Sequence, residues 1–412
     1  MKRISKFLLA PVFLLGLWFG ATLPSARALP EKIYKALDLF SKVLYIVEKD
    51  YVEAVDGQNL VYGAIKGMLG TLDPYTVFLT PDVYKELKVD TLGRFGGVGL
   101  EITLQNGVLT VVTPIEGTPA ERAGVRPGDK ILKINGAVTK GMNLADAVRR
   151  MRGGKHSKLV LTLWREGVAK PFDVSLTREE IKIKSVKYEM LDQGIGYVRV
   201  SGFQENTAEE LRKAVEQLSL GGKLKGLIID LRNNPGGLLE QAIDMSNLFL
   251  KSGTIVSTRG RKGPIELRSA NGDAPYPTLP LVLLLNKGSA SASEIVAGAL
   301  QDNKRAKLLG TQSFGKGSVQ TVIDLGEDTG VKLTIARYFT PSGKSIDGTG
   351  IAPDFVVPGE VPTAIELQEK KKKDVQREAA WNYLVTGKAP APPPESKPSA
   401  KSEEGLDSPS DL

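Results

Sequence analysis

Three patterns of apolar and polar positions follow one another along the chain. Over residues 29–69, apolar side chains recur at spacings of three and four positions, which predicts a helical region. Over residues 94–177, short apolar segments are separated by turn signals such as Asn106-Gly107, which predicts a small β-rich domain. Over residues 181–358, apolar runs alternate with amphipathic segments, so we expect buried strands layered with helices.

The third region is predicted to be α/β, because the apolar runs 227–231 and 281–285 are each followed by a turn and a helical segment. The fold class predicted for the whole chain is α/β, or more fully a multidomain α+β arrangement. A charged helix is predicted over 366–384. The predicted parts are a signal peptide (1–28), a helical region and link (29–91), the β-rich domain (92–178), the α/β core (179–358), a C-terminal helix (359–385) and a disordered tail (386–412).

The β-rich domain begins with two predicted strands, over 98–104 and 108–114. Thr118 is predicted to cap a short helix that starts at the proline after it. A second helix is predicted over 143–151, and a closing strand over 159–164.

A glycine-rich segment, Gly97-Val98-Gly99-Leu100, lies where the first of these strands starts. Glycines there let backbone amides converge on one point, which suits a carboxylate, and the strand edge can accept an added peptide strand. The alternative is a glycine-rich strand start that has no ligand. Leu144, Val148 and Met151 are candidates for the groove side of the second helix, although core packing explains them equally well.

The N-terminus has the layout of a secretory signal peptide. Basic residues at positions 2, 3 and 6 precede an apolar run over 7–19, and Ala26-Arg27-Ala28 follows. Cleavage after Ala28 and export to the periplasm or another extracytoplasmic compartment are therefore predicted. The alternative is an uncleaved segment that tethers the protein to a membrane, although the run is shorter than the roughly 20 residues of a spanning helix.

Composition narrows the chemistry further. The chain of 412 residues has no cysteine, so neither a disulfide nor a thiol nucleophile is available, and its single histidine, His156, removes most metal sites. Half of the net charge of +8 comes from the four basic residues of the predicted signal peptide, so the remaining charge gives little reason to expect nucleic acid as a partner.

Three serines, Ser289, Ser291 and Ser293, follow the second apolar run of the α/β region. Ser291 and Glu294 have the spacing of a helix capping box. A serine on a strand-to-helix turn also has an exposed hydroxyl and free amides that can hold an oxyanion. Spacing alone does not separate a cap from a nucleophile.

A serine nucleophile needs a base. His156 lies in a polar loop and is predicted to face solvent, which leaves a lysine held neutral by desolvation. Lys316, between two glycines and before an alternating strand, is the candidate, and a surface-turn lysine is the alternative. Gly310, Gly315 and Lys316 also nearly match a phosphate-binding P-loop, but Gly317 stands where magnesium ligation needs Ser or Thr.

A third segment, Asn233-Asn234-Pro235-Gly236-Gly237, breaks a predicted buried strand before a helix. Such a turn exposes backbone amides that can serve as oxyanion donors, but it is also common structural punctuation.

Taken together, these motifs resemble a known family. The order of elements over 92–178 resembles a PDZ domain, and Gly97-Val98-Gly99-Leu100 looks like its carboxylate-binding loop. With the Asn-Asn-Pro-Gly-Gly turn, the serine segment 288–294 and the segment 314–320, the chain resembles a carboxy-terminal processing (tail-specific) protease over residues 29–358.

The resemblance implies a crotonase-like protease core and assigns roles. Ser291 would be the nucleophile, Lys316 the general base and Gln320 the residue that orients the lysine. The backbone amides of Gly237 and Ala292 would hold the oxyanion. Ser289 and Ser293 would keep structural roles, in the turn and as a cap.

The implied activity is that of an exported serine endopeptidase that takes protein or peptide substrates by their exposed C-termini and needs no metal or organic cofactor. The alternative is a tail-binding scaffold that has lost hydrolysis. The sequence leaves open the natural substrate, a homodimer or higher oligomer, and an adaptor protein.

Overall fold

The structure is a computed structural model that describes residues 30–115, 117–362 and 372–392. The chain divides at Pro74 into two units, which are described separately. The predicted signal peptide, the start of the predicted C-terminal helix and residues 393–412 of the predicted tail lie outside the described residues. None of the helices in the described ranges has the length and apolar content that a membrane span requires.

The first unit contains two helices, α1 (Glu31–Asp50) and α2 (Gly57–Gly70). The predicted helical character is confirmed, but the helix is interrupted. Asp56 causes the second start, because its carboxylate accepts a hydrogen bond from the Gln58 amide at 2.9 Å.

The second unit begins with a β-rich part. Its elements are β1 (Val77–Leu79), α3 (Pro81–Leu92), β2 (Arg94–Gly97), β3 (Leu100–Gln105), β4 (Val108–Pro114), α4 (Pro119–Arg122), β5 (Lys130–Ile134), β6 (Ala137–Val138), α5 (Leu144–Met151), β7 (Lys158–Trp164), β8 (Phe172–Thr177) and β9 (Glu179–Lys182).

An α/β part follows. Its elements are β10 (Val186–Leu191), β11 (Ile195–Val200), α6 (Thr207–Ser219), β12 (Gly226–Asp230), α7 (Leu239–Asn247), β13 (Thr254–Gly260), β14 (Glu266–Ser269), β15 (Leu281–Leu285), α8 (Ala292–Asp302), β16 (Lys307–Gly310), β17 (Ser318–Gly326), β18 (Thr329–Phe339), β19 (Phe355–Val356) and α9 (Val375–Thr386).

The central sheet has the order β10-β11-β12-β15-β16-β19, and every pair except β10–β11 is parallel. Both faces are covered. Leu227 and Ile229 of β12 pack in the core with α6, α7 and α8, whereas Ile228 packs on the opposite face with Ala380 of α9. Each such fully buried side chain contributes about 1.5–3 kcal/mol. The predicted mixed α/β class is confirmed, and the continuous apolar runs are explained by this double coverage.

The parallel topology brings three segments to one edge of the sheet. Strands β12, β15 and β16 are neighbours and point the same way, so their carboxyl ends meet there. They are followed by the Asn-Asn-Pro-Gly-Gly turn, the serine segment and the segment that contains Lys316, respectively. This edge is where open α/β sheets bind ligands.

A second sheet closes one side of this edge. It has the order β1-β18-β13-β14, with β17 also paired to β18. In the β17–β18 hairpin, Gln320 lies opposite Thr334. On the other side of β18, Val77 of β1 lies opposite Lys332.

The β-rich domain corrects three sequence predictions. The predicted strand 98–104 starts two residues later, at Leu100 of β3, because Gly99 has a φ of 76° and lies with Val98 between β2 and β3. The closing strand of the sheet is β8, which pairs with β7, and not the predicted strand 159–164. Thr118 stands at the predicted cap position, but its hydroxyl donates to the carbonyls of Ile115 and Gly99 and does not cap the helix.

In the described part of the chain the C-terminal helix α9 spans Val375–Thr386, so the later part of the predicted segment 366–384 is helical, while its start, 366–371, lies outside the described residues. Asp374 caps α9 by accepting from the Arg377 amide at 3.0 Å. The same carboxylate binds Arg232, which is fully buried just after β12. The remaining donors of Arg232 bind Asp230 and Gln376, so all five of its N–H groups are used.

Candidate active site

Ser291 lies between β15 and α8, at the N-cap position of the helix, with φ 55° and ψ −114°. This backbone conformation is strained for a residue other than glycine and costs on the order of 1–3 kcal/mol. Ser291 is partly exposed, whereas Ser289 and Ser293 are fully buried. The local geometry therefore singles out the middle serine as the one that a substrate can reach.

The two other serines bind backbone carbonyls in the segment that follows β12. The hydroxyl of Ser289 donates to the carbonyl of Leu231 at 2.8 Å, as its predicted turn role requires. The predicted cap role of Ser293 is wrong. Ser293 lies inside the first turn of α8, and its hydroxyl donates to the carbonyl of Asn234 at 3.0 Å.

The turn and the serine segment are in direct contact. The Ala290 amide donates to the carbonyl of Asn234 at 3.0 Å. A Cβ placed on Gly236 would lie 2.7 Å from the Ala290 carbonyl oxygen and 2.8 Å from Cβ of Ser291. Only glycine fits at this position, which explains the residue type that the sequence shows there.

The two amides predicted as oxyanion donors lie on either side of this contact. Ala292 is the first residue of α8, so its amide has no intrahelical acceptor. Gly237 has a φ of 147° and packs on the backbone of Phe203. The bonds to Phe203 are made by the Leu238 amide and the Gly236 carbonyl, so they do not use the Gly237 amide.

Lys316 lies in a tightly packed loop. A Cβ on Gly317 would lie 2.4 Å from the backbone nitrogen of Asp347, and one on Gly315 would lie 3.0 Å from the backbone of Gly348. These contacts confirm the predicted close packing at both flanking glycines. Lys316 is followed by strand β17, which begins at Ser318. A phosphate-binding P-loop needs a helix at this place, so this described segment is not a P-loop.

The Lys316 amine is half-buried, and its pKa is lowered from the ordinary lysine value. Burial is the main cause, and the positive charge of Lys332 on β18 adds to it, while the negative charge of Glu294 opposes the shift. Desolvation of this kind favours the neutral amine, which is the form that can accept a proton. His156, by contrast, is exposed in the β-rich domain, as the sequence predicted.

Glu294 is a site residue that sequence reasoning treated only as half of a capping box. Its carboxylate is fully buried and accepts four hydrogen bonds. The donors are the amides of Ser291 (2.8 Å), Gly315 (2.7 Å) and Lys316 (2.9 Å) and the hydroxyl of Ser313 (2.6 Å). The available signal was an acidic residue within an otherwise small and apolar helix sequence.

Gln320 lies on β17, near the lysine. Its side-chain amide donates to the backbone carbonyl of Tyr75 at 2.6 Å, and the Lys316 amine lies 5.0 Å from the centroid of the Tyr75 ring. Among the residues that the structure describes, no hydrogen bond joins the Lys316 amine to Ser291 or to Gln320. The lysine side chain is flexible, and catalytic hydrogen bonds often form only with substrate, so the roles of these three residues stay predictions.

A separate cavity of about 160 Å³ lies in the β-rich domain, between the glycine-rich segment and α5. The predicted segment Gly97-Val98-Gly99-Leu100 lines it. Val148 and Met151 line the opposite wall, but Leu144 does not. The predicted groove is therefore present, with two of its three predicted helix residues.

Three models of known protein families match parts of this chain. Residues 194–357 match the model of peptidase family S41, residues 110–165 match a PDZ domain, and residues 22–83 match the N-terminal domain of the activating protease CtpB.

Curated relatives are similar over most of the chain. A carboxy-terminal-processing protease of Bartonella bacilliformis is 47% identical and covers 81% of this chain and 77% of the relative. A carboxyl-terminal-processing protease of Synechocystis sp. is 42% identical, with coverages of 84% and 82%. A solved photosystem II D1 C-terminal processing protease is 35% identical, covers 86% of this chain and 95% of that chain, and has a TM-score of 0.48.

The chain therefore belongs to the serine peptidase family S41, among the carboxy-terminal processing proteases that carry a PDZ domain. This membership confirms the predicted enzyme class, a serine-type endopeptidase.

The contact at Gly236 generates a prediction. Gly236→Ala is expected to lower kcat about 100-fold, because the added methyl displaces Ser291 and the neighbouring amides. Gly343→Ala is the matched control, since Gly343 also has a positive φ but a Cβ there meets nothing within 4 Å. Peptide hydrolysis and thermal unfolding of both variants are measured. Equal losses of kcat in the two variants would contradict the steric argument.

Proposed function

We propose that Ser291 is the nucleophile of this protease and that Lys316 is its general base. One observation carries the proposal. A single oxygen of the Glu294 carboxylate, Oε2, accepts both the Ser291 amide at 2.8 Å and the Lys316 amide at 2.9 Å. The backbones of the two residues are therefore held side by side by one carboxylate oxygen.

The reaction follows from these positions. Neutral Lys316 takes the proton of the Ser291 hydroxyl as its oxygen attacks the scissile carbonyl. The amides of Gly237 and Ala292 donate to the oxyanion that forms. The lysine then gives the proton to the leaving amine, and it activates the water that hydrolyses the acyl-enzyme. Gln320 orients the lysine from β17.

We further propose that the PDZ domain delivers substrates by their C-termini. The glycine-rich segment lines the cavity opposite Val148 and Met151, so a terminal carboxylate on the backbone amides and an apolar last side chain against the helix would fit there together. A scaffold without hydrolysis is the weaker candidate, because the chain keeps Ser291, Lys316 and the Glu294 bonds between them.

We also propose that the protein is exported, on the basis of the basic, apolar and small-residue segments of its first 28 residues. N-terminal sequencing of the protein recovered from its host tests this proposal. A mature chain that starts at Leu29 supports cleavage and export, and a cytoplasmic chain with an intact N-terminus contradicts export.

The Ser–Lys mechanism predicts that Ser291→Ala and Lys316→Ala each lower kcat/KM at least 1,000-fold, while binding of a C-terminal peptide is unchanged. Lys262→Ala, at an exposed lysine, is the control and should keep full activity. In the parent enzyme kcat/KM should rise with pH as Lys316 loses its proton, with a midpoint below about 10.4, the ordinary lysine pKa. Activity that survives in Lys316→Ala would refute the mechanism.

Delivery by the PDZ domain predicts a substrate-dependent effect of Val148→Asp. The new carboxylate lies in the apolar cavity and repels the C-terminus of the substrate, so cleavage of tail-dependent proteins should fall about 10-fold or more. Val138→Asp, at an exposed valine outside the cavity, is the control. Fluorescence anisotropy with a labelled C-terminal peptide measures binding directly. Unchanged peptide binding and cleavage in Val148→Asp would exclude this route.

A further inference from the structure

Tyr75 lies two residues before β1, beside the Lys316 amine and the Gln320 side chain. The following residues are fixed on the second sheet, since Val77 pairs with Lys332 and the Thr334 amide donates to the Thr76 hydroxyl at 3.2 Å. Thr76 is buried, and Tyr75 is half-buried. The position of the tyrosine is therefore set by the sheet and not by the catalytic loop.

Tyr75 contacts two of the predicted catalytic side chains at once. Its ring centroid lies 5.0 Å from the Lys316 amine, within the range of a cation–π contact. Its backbone carbonyl accepts the Gln320 side-chain amide at 2.6 Å. One residue outside the three catalytic segments thus adjoins both the proposed base and the residue that orients it.

The charges around the amine come from several elements. Lys332 on β18 is positive, and Glu294 on α8 is negative. The segment packed against Gly317 carries Asp347, which is paired with Arg337 at 3.5 Å. None of these groups offers the amine the close contact that the Tyr75 ring makes.

We propose that Tyr75 is a positioning residue for the base, whose ring face stabilises the ammonium that Lys316 becomes after it takes the serine proton. This inference rests on the proposed role of Lys316 as the base. An aromatic face attracts a cation through its quadrupole but has little preference for a neutral amine. The contact therefore becomes stronger as the proton is transferred to the lysine. An interaction that is stronger in the transition state than in the ground state accelerates the reaction.

Two variants separate this role from simple packing. Tyr75→Phe keeps the ring face, whereas Tyr75→Leu keeps an apolar side chain that shields the lysine but has no ring. For each variant kcat, KM and the pH dependence of kcat/KM are measured on a peptide substrate. Tyr188→Leu, at a half-exposed tyrosine on β10 remote from the site, is the control, and thermal unfolding reports on folding.

Tyr75→Phe is expected to keep the parent kcat and pH profile. Tyr75→Leu is expected to lower kcat about 3- to 10-fold with little change in KM. In the pH profile of kcat/KM for Tyr75→Leu, the acidic limb should move to lower pH, because loss of the ring removes stabilisation from the protonated form of Lys316. An unmoved limb, a limb moved to higher pH, or equal losses in the two variants would overturn the proposal.

The Lys316→Ala variant separates a failure of the Ser–Lys mechanism from a failure of the proposed role of Tyr75. If Lys316→Ala stays active, the proposed mechanism itself fails. If Lys316→Ala is inactive and the profile of Tyr75→Leu does not move, the mechanism stands and only the inference about Tyr75 fails.

Discussion

The buried carboxylate of Glu294 is the interaction on which the catalytic site depends. A carboxylate removed from water is costly unless hydrogen bonds compensate for it, and here four donors do so. Three of them are amides of Ser291, Gly315 and Lys316. Separation of the Ser291 segment from the Lys316 loop would leave this carboxylate without its partners. The spacing of the two segments is therefore maintained by the energy of one desolvated group.

The Asn-Asn-Pro-Gly-Gly turn is held from two directions. On one side, Ala290 and Ser293 bind the carbonyl of Asn234. On the other side, Arg232 at the start of the turn uses all its donors on Asp230, Asp374 and Gln376. A buried ion pair adds little net stability but strongly disfavours arrangements in which a partner is missing. The C-terminal helix thus contributes to the position of the oxyanion amides although it lies on the opposite face of the sheet.

Two further constraints act on the lysine. The glycines on either side let its loop pack against the backbone near Asp347, which partly buries the amine and lowers its pKa. The wall of the site is completed by Tyr75 and by the β17–β18 hairpin, which carry the aromatic and amide groups around it. The lowered pKa of Lys316 and the groups around its amine are consequences of how separate sheets meet, and neither is a property of the lysine segment alone.

Local patterns in the sequence determined the two-sided burial of β12 and β15 and the helix start after Ser291, because the apolar runs and the cap spacing are local features. The close contacts that require glycine at 236, 315 and 317 are made with residues distant in sequence, so only the tertiary structure shows them. Local patterns did not determine the later start of β3 at Leu100, where Gly99 has a positive φ beside Thr118, or the closing strand β8, which depends on pairing with β7. Apart from Ser291 beside Glu294 and Asp230 beside Arg232, the partners of Glu294, Arg232 and Tyr75 also appeared only with the tertiary structure. Their contacts join residues from 19 to 245 positions apart, and sequence periodicity carries no information about which distant groups share a buried charge or a ring face.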